Sequence, residues 1–243
     1  MLDRRTYHAV ASEPPTSDTP ATSTVWGAAV EEAVRPDSRP TGWPDPRRRI
    51  LDALVQTVAL RGYDRTTIDR VLHVAEVPAP VFDEHFEDKQ DCLLAALDEL
   101  IGRLQCTVSE RIDGSTSWSE RVRLGLQTLL AALACHPDGA RVALVECLSA
   151  GEPAVARVRS AVASFVPILD EGRGSPEAVN TDHLPPQTAE AVVGGIAAIL
   201  HRRALEGHTA ELPALLPDLL YFALMPYLGH RRALAAAGYA SGT

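Results

Sequence analysis

The sequence predicts an all-α protein of about nine helices, arranged as a small N-terminal three-helix unit and a larger helical body. Three observations predict it. After residue 46, apolar residues recur three and four apart, whereas strand-type alternation never persists beyond a few residues. Aromatic residues make up only 5% of the chain, so the core must be built from Ala, Leu and Val, which suit closely packed helices. Finally, Ser, Thr, Asp, Gly and Pro punctuate the periodic runs where helices would start and stop.

The elements follow in order. Residues 1–45 are rich in Pro, Ser, Thr and Ala without periodicity, and are expected to form a disordered tail. Ile50, Leu51, Leu54, Val55, Val58 and Ala59 mark a first helix, stopped by Gly62. Thr66 and Thr67 offer an N-cap to a short second helix carrying Ile68, Val71 and Leu72. A tight turn at Glu76-Val77 leads to a short third helix with Pro78 in its first turn and Phe82 and Phe86 on one face. A fourth helix runs from about Asp88 through Leu104. Ser117-Trp118-Ser119-Glu120 is a capping box for a fifth, which ends by His136-Pro137. The sixth follows Asp138 and carries Val142, Leu144, Val145 and Leu148, up to Gly151. The seventh spans Glu152 to about Asp170, and residues 171–185 form a loop. The eighth covers 186–206, closed by Gly207, and the ninth 210–228. Residues 231–243 form a C-terminal tail, helical or frayed.

Composition narrows the function. A net charge of −9 argues against a protein that coats nucleic acid or anionic membrane over its whole surface, though it leaves room for a local basic patch. The N-terminal residues lack the roughly 7–15-residue apolar segment of a signal peptide, and no apolar run reaches the ~20 residues of a membrane span. Cys92, Cys106, Cys135 and Cys147 have neither C-x-x-C pairing nor metal-like spacing with His, and are expected as reduced core residues. A soluble, cytoplasmic protein without metal or cofactor is expected. Phosphate-loop, G-x-S-x-G and H-E-x-x-H signatures are absent from the sequence and its eight histidines are scattered, so no enzyme is expected.

Three short helices with a tight turn between the second and third describe a helix-turn-helix, whose last helix enters a major groove about 12 Å wide. The run from Arg47 to Leu97 resembles the N-terminal domain of TetR-family transcriptional regulators. The resemblance rests on Ile50-Leu51, Gly62-Tyr63, Thr66-Thr67, Ala75 and Val77 in the turn, Phe82, His85-Phe86, and Lys89 opening the fourth helix. Trp118 to Val122, Ala140 to Glu146 and Met225 to Gly229 are similar to stretches of the actinobacterial branch of that family, extending the resemblance over about 47–229.

The resemblance implies a helix-turn-helix DNA-binding domain at 46–92 and a ligand-binding and dimerisation domain at 93–230. It implies phosphate contacts from Thr66 and Thr67 at a helix N-terminus, from His85 and Lys89, and from Arg47 and Arg48 on the flanking backbone. Pro78, Ala79, Pro80 and Val81 would face the bases. Two plainer readings stay open beside these: Thr67 as a simple cap, and His85 as a packing residue. The departures matter too. Glu76 stands where the family usually has Gly, Asp83 where it has an aromatic hydroxyl, and Leu72 where it has Ala. From Glu76 to Asp91 six carboxylates face the single Lys89, and the base-facing positions hold no Arg, Lys, Asn or Gln. Because DNA affinity comes largely from phosphate neutralisation, such a face should bind a duplex weakly. Two readings therefore remain: a repressor released by a small-molecule effector, or a TetR-fold ligand- or partner-binding protein that has lost specific DNA binding.

For the body, the resemblance implies a homodimer through the last two long helices, with Gly194-Gly195 allowing close approach, and an effector pocket among the fourth to seventh. Arg103, Cys106, Gln127, Glu146 and Cys147 are the polar or soft groups on otherwise apolar helices that would line it. Glu146, inside Ala143 to Leu148, is either paired structurally or waiting for a ligand. The abundance of Leu, Val and Ala points to a small apolar effector.

Overall fold

The computed structural model describes residues 45–114, 117–179 and 181–239, and these residues are all-helical. The tail expected over 1–45 lies, but for Asp45, outside the described residues.

The headpiece forms first along the chain. Helix α1 (Pro46–Arg61) starts where the Asp45 carboxylate accepts from Arg47 N–H and Pro46 supplies a pre-set φ, and it stops at Gly62, whose φ of 85° suits only glycine. Ile50, Leu51, Leu54 and Val58 are its buried stripe. Helix α2 (Ile68–Ala75) is capped by Thr67, whose hydroxyl accepts from Arg70 N–H at 3.4 Å. Thr66 is buried, and its hydroxyl donates to the Gly62 carbonyl at 2.9 Å, pinning the loop between the two helices. Helix α3 (Ala79–Asp83) takes Pro78 as its cap, so Pro80 rather than Pro78 occupies the first turn, where a missing N–H costs nothing. Phe82 and Phe86 are buried with ring centroids 5.4 Å apart.

The turn between α2 and α3 forms despite Glu76. That residue adopts the left-handed conformation, φ 54° and ψ 45°, and is the sole described non-glycine residue with positive φ. Arg49 holds it in place. Its guanidinium donates to the carbonyls of Ala75 and Glu76 and lies 3.9 Å from the Glu76 carboxylate.

Helix α4 (Lys89–Ile112), capped by Asp88, leads out of the headpiece. The body follows with α5 (Trp118–Cys135), α6 (Pro137–Leu144), α7 (Glu152–Ala163), α8 (Val166–Asp170), α9 (Thr188–Leu205), α10 (Leu216–Leu228) and α11 (His230–Ala236). That is eleven α-helices among the described residues against about nine expected. The single seventh helix breaks before Pro167, which has no N–H to continue the ladder, leaving α7 and α8. The C-terminal tail is helical over α11. The expected sixth helix ends early, at Leu144. A 3-10 turn, Glu146–Leu148, follows, and Leu148 is exposed rather than packed. A 3-10 stretch, Thr209–Leu215, containing Pro213, replaces the start of the expected ninth helix.

Two apolar clusters hold these elements. One joins the headpiece to the first turns of α4 and to Val142, Cys147, Ala150 and Ala154, so α4 belongs to both halves. The other joins α5 to α8, α9, α10 and α11. At its far end Trp118 donates its indole N–H to the Ile168 carbonyl at 2.9 Å and packs against Tyr227 with the rings tilted by 60°. A Cβ at Gly172 would sit 2.4 Å from that indole, so only glycine fits beneath it. Of the four cysteines expected in the core, Cys92 and Cys147 are buried. Cys106 and Cys135 face away from the apolar stripes of α4 and α5 and are exposed. No described helix is long and apolar enough to cross a membrane.

Candidate functional site

The surface that a helix-turn-helix turns toward a duplex is built from α2, α3 and the residues around them. Pro78, Ala79, Pro80, Asp83, Glu84 and His85 are exposed on it, while Val81 is half-buried against the headpiece core. Thr67 is exposed at the α2 start, whereas Thr66 is enclosed. His85 also lies 6.2 Å from the Phe86 ring centroid.

The cations expected on phosphates are engaged within the protein. Lys89 donates to the carbonyls of Tyr63 at 2.9 Å and Thr66 at 3.0 Å, with its ammonium 4.1 Å from the Tyr63 ring centroid. It closes the α1–α2 loop onto α4. Arg47 lies 4.0 Å from Glu99 and over the Phe86 ring, and Arg48 pairs with Glu99 at 3.4 Å and Asp52 at 3.7 Å. Arg61, Arg65 and Arg70 remain. They are exposed around the α2 start and form no ion pair among the described residues. Sequence reasoning passed over them because it followed positions matched to a family pattern. Their spacing at the end of one helix and the beginning of the next was the available signal.

The second feature is a cavity of about 160 Å³ lined by α4 to α9 and by Ala223 of α10. Helix α4 contributes Ile101, Leu104, Val108 and Ile112, and α5 contributes residues from Arg121 to Leu133. Val158 and Val162 of α7, Phe165 beside α8, and Ile196 and Leu200 of α9 complete the wall. Arg121 is the one polar side chain in the lining. It sits at the end farthest from the headpiece, paired with Glu171.

None of the five residues expected to line the pocket lies in this wall. Arg103 pairs with Glu99 at 3.0 Å on the border of a separate cleft shared with α1. The Cys106 thiol donates to Glu110 at 3.3 Å on the exposed face of α4, and that hydrogen bond pushes its pKa up. Gln127 accepts from Arg123 at 3.1 Å. Buried Cys147 donates to the Ala143 carbonyl at 3.0 Å, and desolvation raises its pKa.

Glu146 is paired. It is 8% exposed, lies 3.2 Å from an Arg141 nitrogen, and accepts from Tyr63 N–H at 3.2 Å. A carboxylate of the body thereby receives a backbone donor of the headpiece. Half-buried His201 of α9 donates from Nδ1 to the Leu144 carbonyl at 2.6 Å, fastening the end of α6. Among the described residues no group of His, Cys, Asp and Glu could hold a metal ion.

No protein-family model matches the chain, and no curated protein matches it. Among solved structures, it is similar to the fatty acid degradation regulator FadR from Bacillus halodurans, with a TM-score of 0.65 and 18% identity over 73% of this chain and 97% of that one. It is similar to FadR from Bacillus subtilis in complex with stearoyl-CoA, with a TM-score of 0.64 and 21% identity over 75% and 98%. A TetR-like transcriptional regulator from Rhodococcus sp. RHA1 gives a TM-score of 0.60 and 20% identity over 76% and 97%. The fold is that of TetR-type transcriptional regulators.

Proposed function

We propose that the chain is a TetR-family transcriptional regulator of the actinobacterial type, acting in the cytoplasm as a homodimeric repressor that a small apolar effector releases from DNA. The observation that carries this reading is α4. Its first turn holds the headpiece loop through Lys89, and its second half walls the cavity from Ile101 to Ile112. A ligand that shifts α4 moves the headpiece with it, which supplies the differential contact that allosteric control requires. The stearoyl-CoA bound to the Bacillus subtilis regulator supports an apolar effector site in this fold.

Residues 46–92 serve as headpiece and 93–230 as body. Thr67, Pro78, Ala79, Pro80 and His85 face the duplex, and Arg61, Arg65 and Arg70 neutralise phosphates. Dimerisation uses α9 and α10, where Ala191, Gly194, Ala198, Phe222 and Met225 are exposed. The Phe222 ring packs onto Gly195, 3.2 Å from where a Cβ would lie, so the two helices present one low face to a second copy.

A second reading, a fold retained without specific DNA binding, is favoured by the acidic α3 surface and by the internal engagement of Arg47, Arg48 and Lys89. Polarisation with the duplex upstream of the chain's own gene separates the two. A dimer with three free arginines per headpiece should lose affinity with a log–log salt slope of about −5, from about −0.9 per phosphate. No binding even at about 50 mM salt would establish the second reading.

A further inference from the structure

We propose that the cavity takes a compact, unfunctionalised hydrocarbon, a single six-membered ring with short alkyl substituents, and rejects polar relatives of the same outline. This assignment rests on the cavity being the effector site and names the chemistry of the effector.

The wall offers a ligand no free polar partner among the described residues. Apart from Arg121 and Gly125, the lining is hydrocarbon side chain throughout, and the Arg121 guanidinium is already paired with Glu171. Backbone groups inside the helices bond to one another. Helix ends ordinarily leave carbonyls over, but those at the ends of this wall are used. The Leu144 carbonyl, closing α6, accepts from His201 at 2.6 Å. Around the break between α7 and α8, the Ala161 carbonyl accepts from the Ser164 hydroxyl at 2.7 Å. Val162 and Phe165 accept there from the N–H groups of Phe165 and Leu169 at 3.2 and 3.3 Å. The Ile168 carbonyl accepts from the Trp118 indole at 2.9 Å. A hydroxyl, amine or carboxylate entering this space would lose its water and find no replacement, whereas a hydrocarbon gains by leaving water.

Two observations set the size. A volume of about 160 Å³ is close to that of an engineered apolar cavity, about 150 Å³, which stays dry and binds benzene. A Cβ at Gly125 would meet Ile112 and Val108 at 3.6 and 3.7 Å, so α4 and α5 pack in contact there and leave no slot for a long chain. The room lies between that pair and the residues of α6 to α9, which suits a ring.

The test is calorimetric titration of the full chain with p-xylene, p-cresol and p-toluate, three rings of similar outline that differ in one methyl, hydroxyl or carboxylate. p-Xylene should bind at least a hundredfold tighter than p-cresol, and p-toluate should not bind. In surroundings that supply hydrogen bonds, moving the hydroxyl out of water costs no more than about thirtyfold, so the larger ratio reports a hydroxyl without a partner. Ala161→Phe and Ala197→Leu, which fill the space from α7 and α9, should each weaken p-xylene at least tenfold. A ratio below a hundredfold, or p-toluate binding as p-xylene does, would overturn the hydrocarbon assignment while leaving an effector site. A folded parent that binds no p-xylene, or cooperatively melting Ala161→Phe and Ala197→Leu variants that bind it as the parent does, would sink the site for such a ligand. Selective p-xylene binding upholds the assignment whether or not the ligand releases DNA, so the assignment and the repressor reading fail separately.

Discussion

Replacing Glu146 by Ala should loosen the headpiece from the body, and the cost follows from its two partners. The Tyr63 N–H donates to the carboxylate at 3.2 Å in a part-buried position. A hydrogen bond to a charged group contributes about 1.5–3 kcal/mol, and its loss leaves the donor unsatisfied. The Arg141 pair, at 3.2 Å, joins an arginine more than a third exposed to a carboxylate almost fully enclosed, so solvent screening reduces it to about 1 kcal/mol or less. The sum is about 2–4 kcal/mol. At roughly 2–4 °C per kcal/mol for a chain of this size, the melting temperature should fall by roughly 4–16 °C. Glu146→Gln keeps an acceptor for Tyr63 and should lose about half as much. Differential scanning calorimetry gives the total, and amide exchange gives the place. Tyr63 and the last turn of α1 should exchange faster while α10 is unchanged. A Glu146→Ala melt within about 2 °C of the parent, with Tyr63 protection intact, would refute the latch.

The turn at Glu76 offers a second check. Glu76→Gly should relieve a left-handed conformation worth about 1–2 kcal/mol while keeping both backbone carbonyls for Arg49, offset by the extra unfolded-state freedom of glycine and by loss of the exposed carboxylate contact, for a net change within about 1 kcal/mol in urea melts, whereas Arg49→Met should destabilise by about 1–3 kcal/mol. Cysteine alkylation followed by mass spectrometry at pH 8 should label Cys106 and Cys135 in the folded chain and spare Cys92 and Cys147 until denaturant is added. Burial pushes the Cys92 thiol up to about 12, so it stays protonated in the fold, while in the unfolded chain it ionises near 9; its contribution to stability is therefore intact below pH 9 and is lost between pH 9 and 12. Tyr227→Phe should raise stability by about 1 kcal/mol, because the buried hydroxyl finds no partner among the described residues. Gly172→Ala should lower the melting temperature by several degrees through its clash with Trp118, and an unchanged melt would contradict that packing.

Local chemistry determined most of the fold. Asp45, Thr67, Asp88 and Ser117 cap helices because a short side chain can reach an amide two or three residues on, and Gly62 and Gly229 stop them by taking positive φ. Such signals act over a few residues and are therefore readable along the chain. The apolar run through Glu152–Asp170 misled for the same reason, since its periodicity continues across the break that Pro167 makes.

The site obeyed other rules. Leu104, Val108 and Leu126 follow the same helical spacing whether they close a core or wall a cavity, so sequence periodicity marks them as apolar and leaves the empty space between them undetermined. Glu146 was conspicuous as a carboxylate in an apolar run, but its donor stands 83 positions away. Lys89, Arg47 and Arg48 carry the charge that phosphates require, yet carbonyls and carboxylates brought close by packing took them first. What the sequence determined by itself is which groups are apolar, charged or fit to cap a helix. Which of them meet, and which stay free to meet a ligand or a duplex, only the tertiary structure decided, because partnership depends on distance in space and the chain specifies distance only over a few turns.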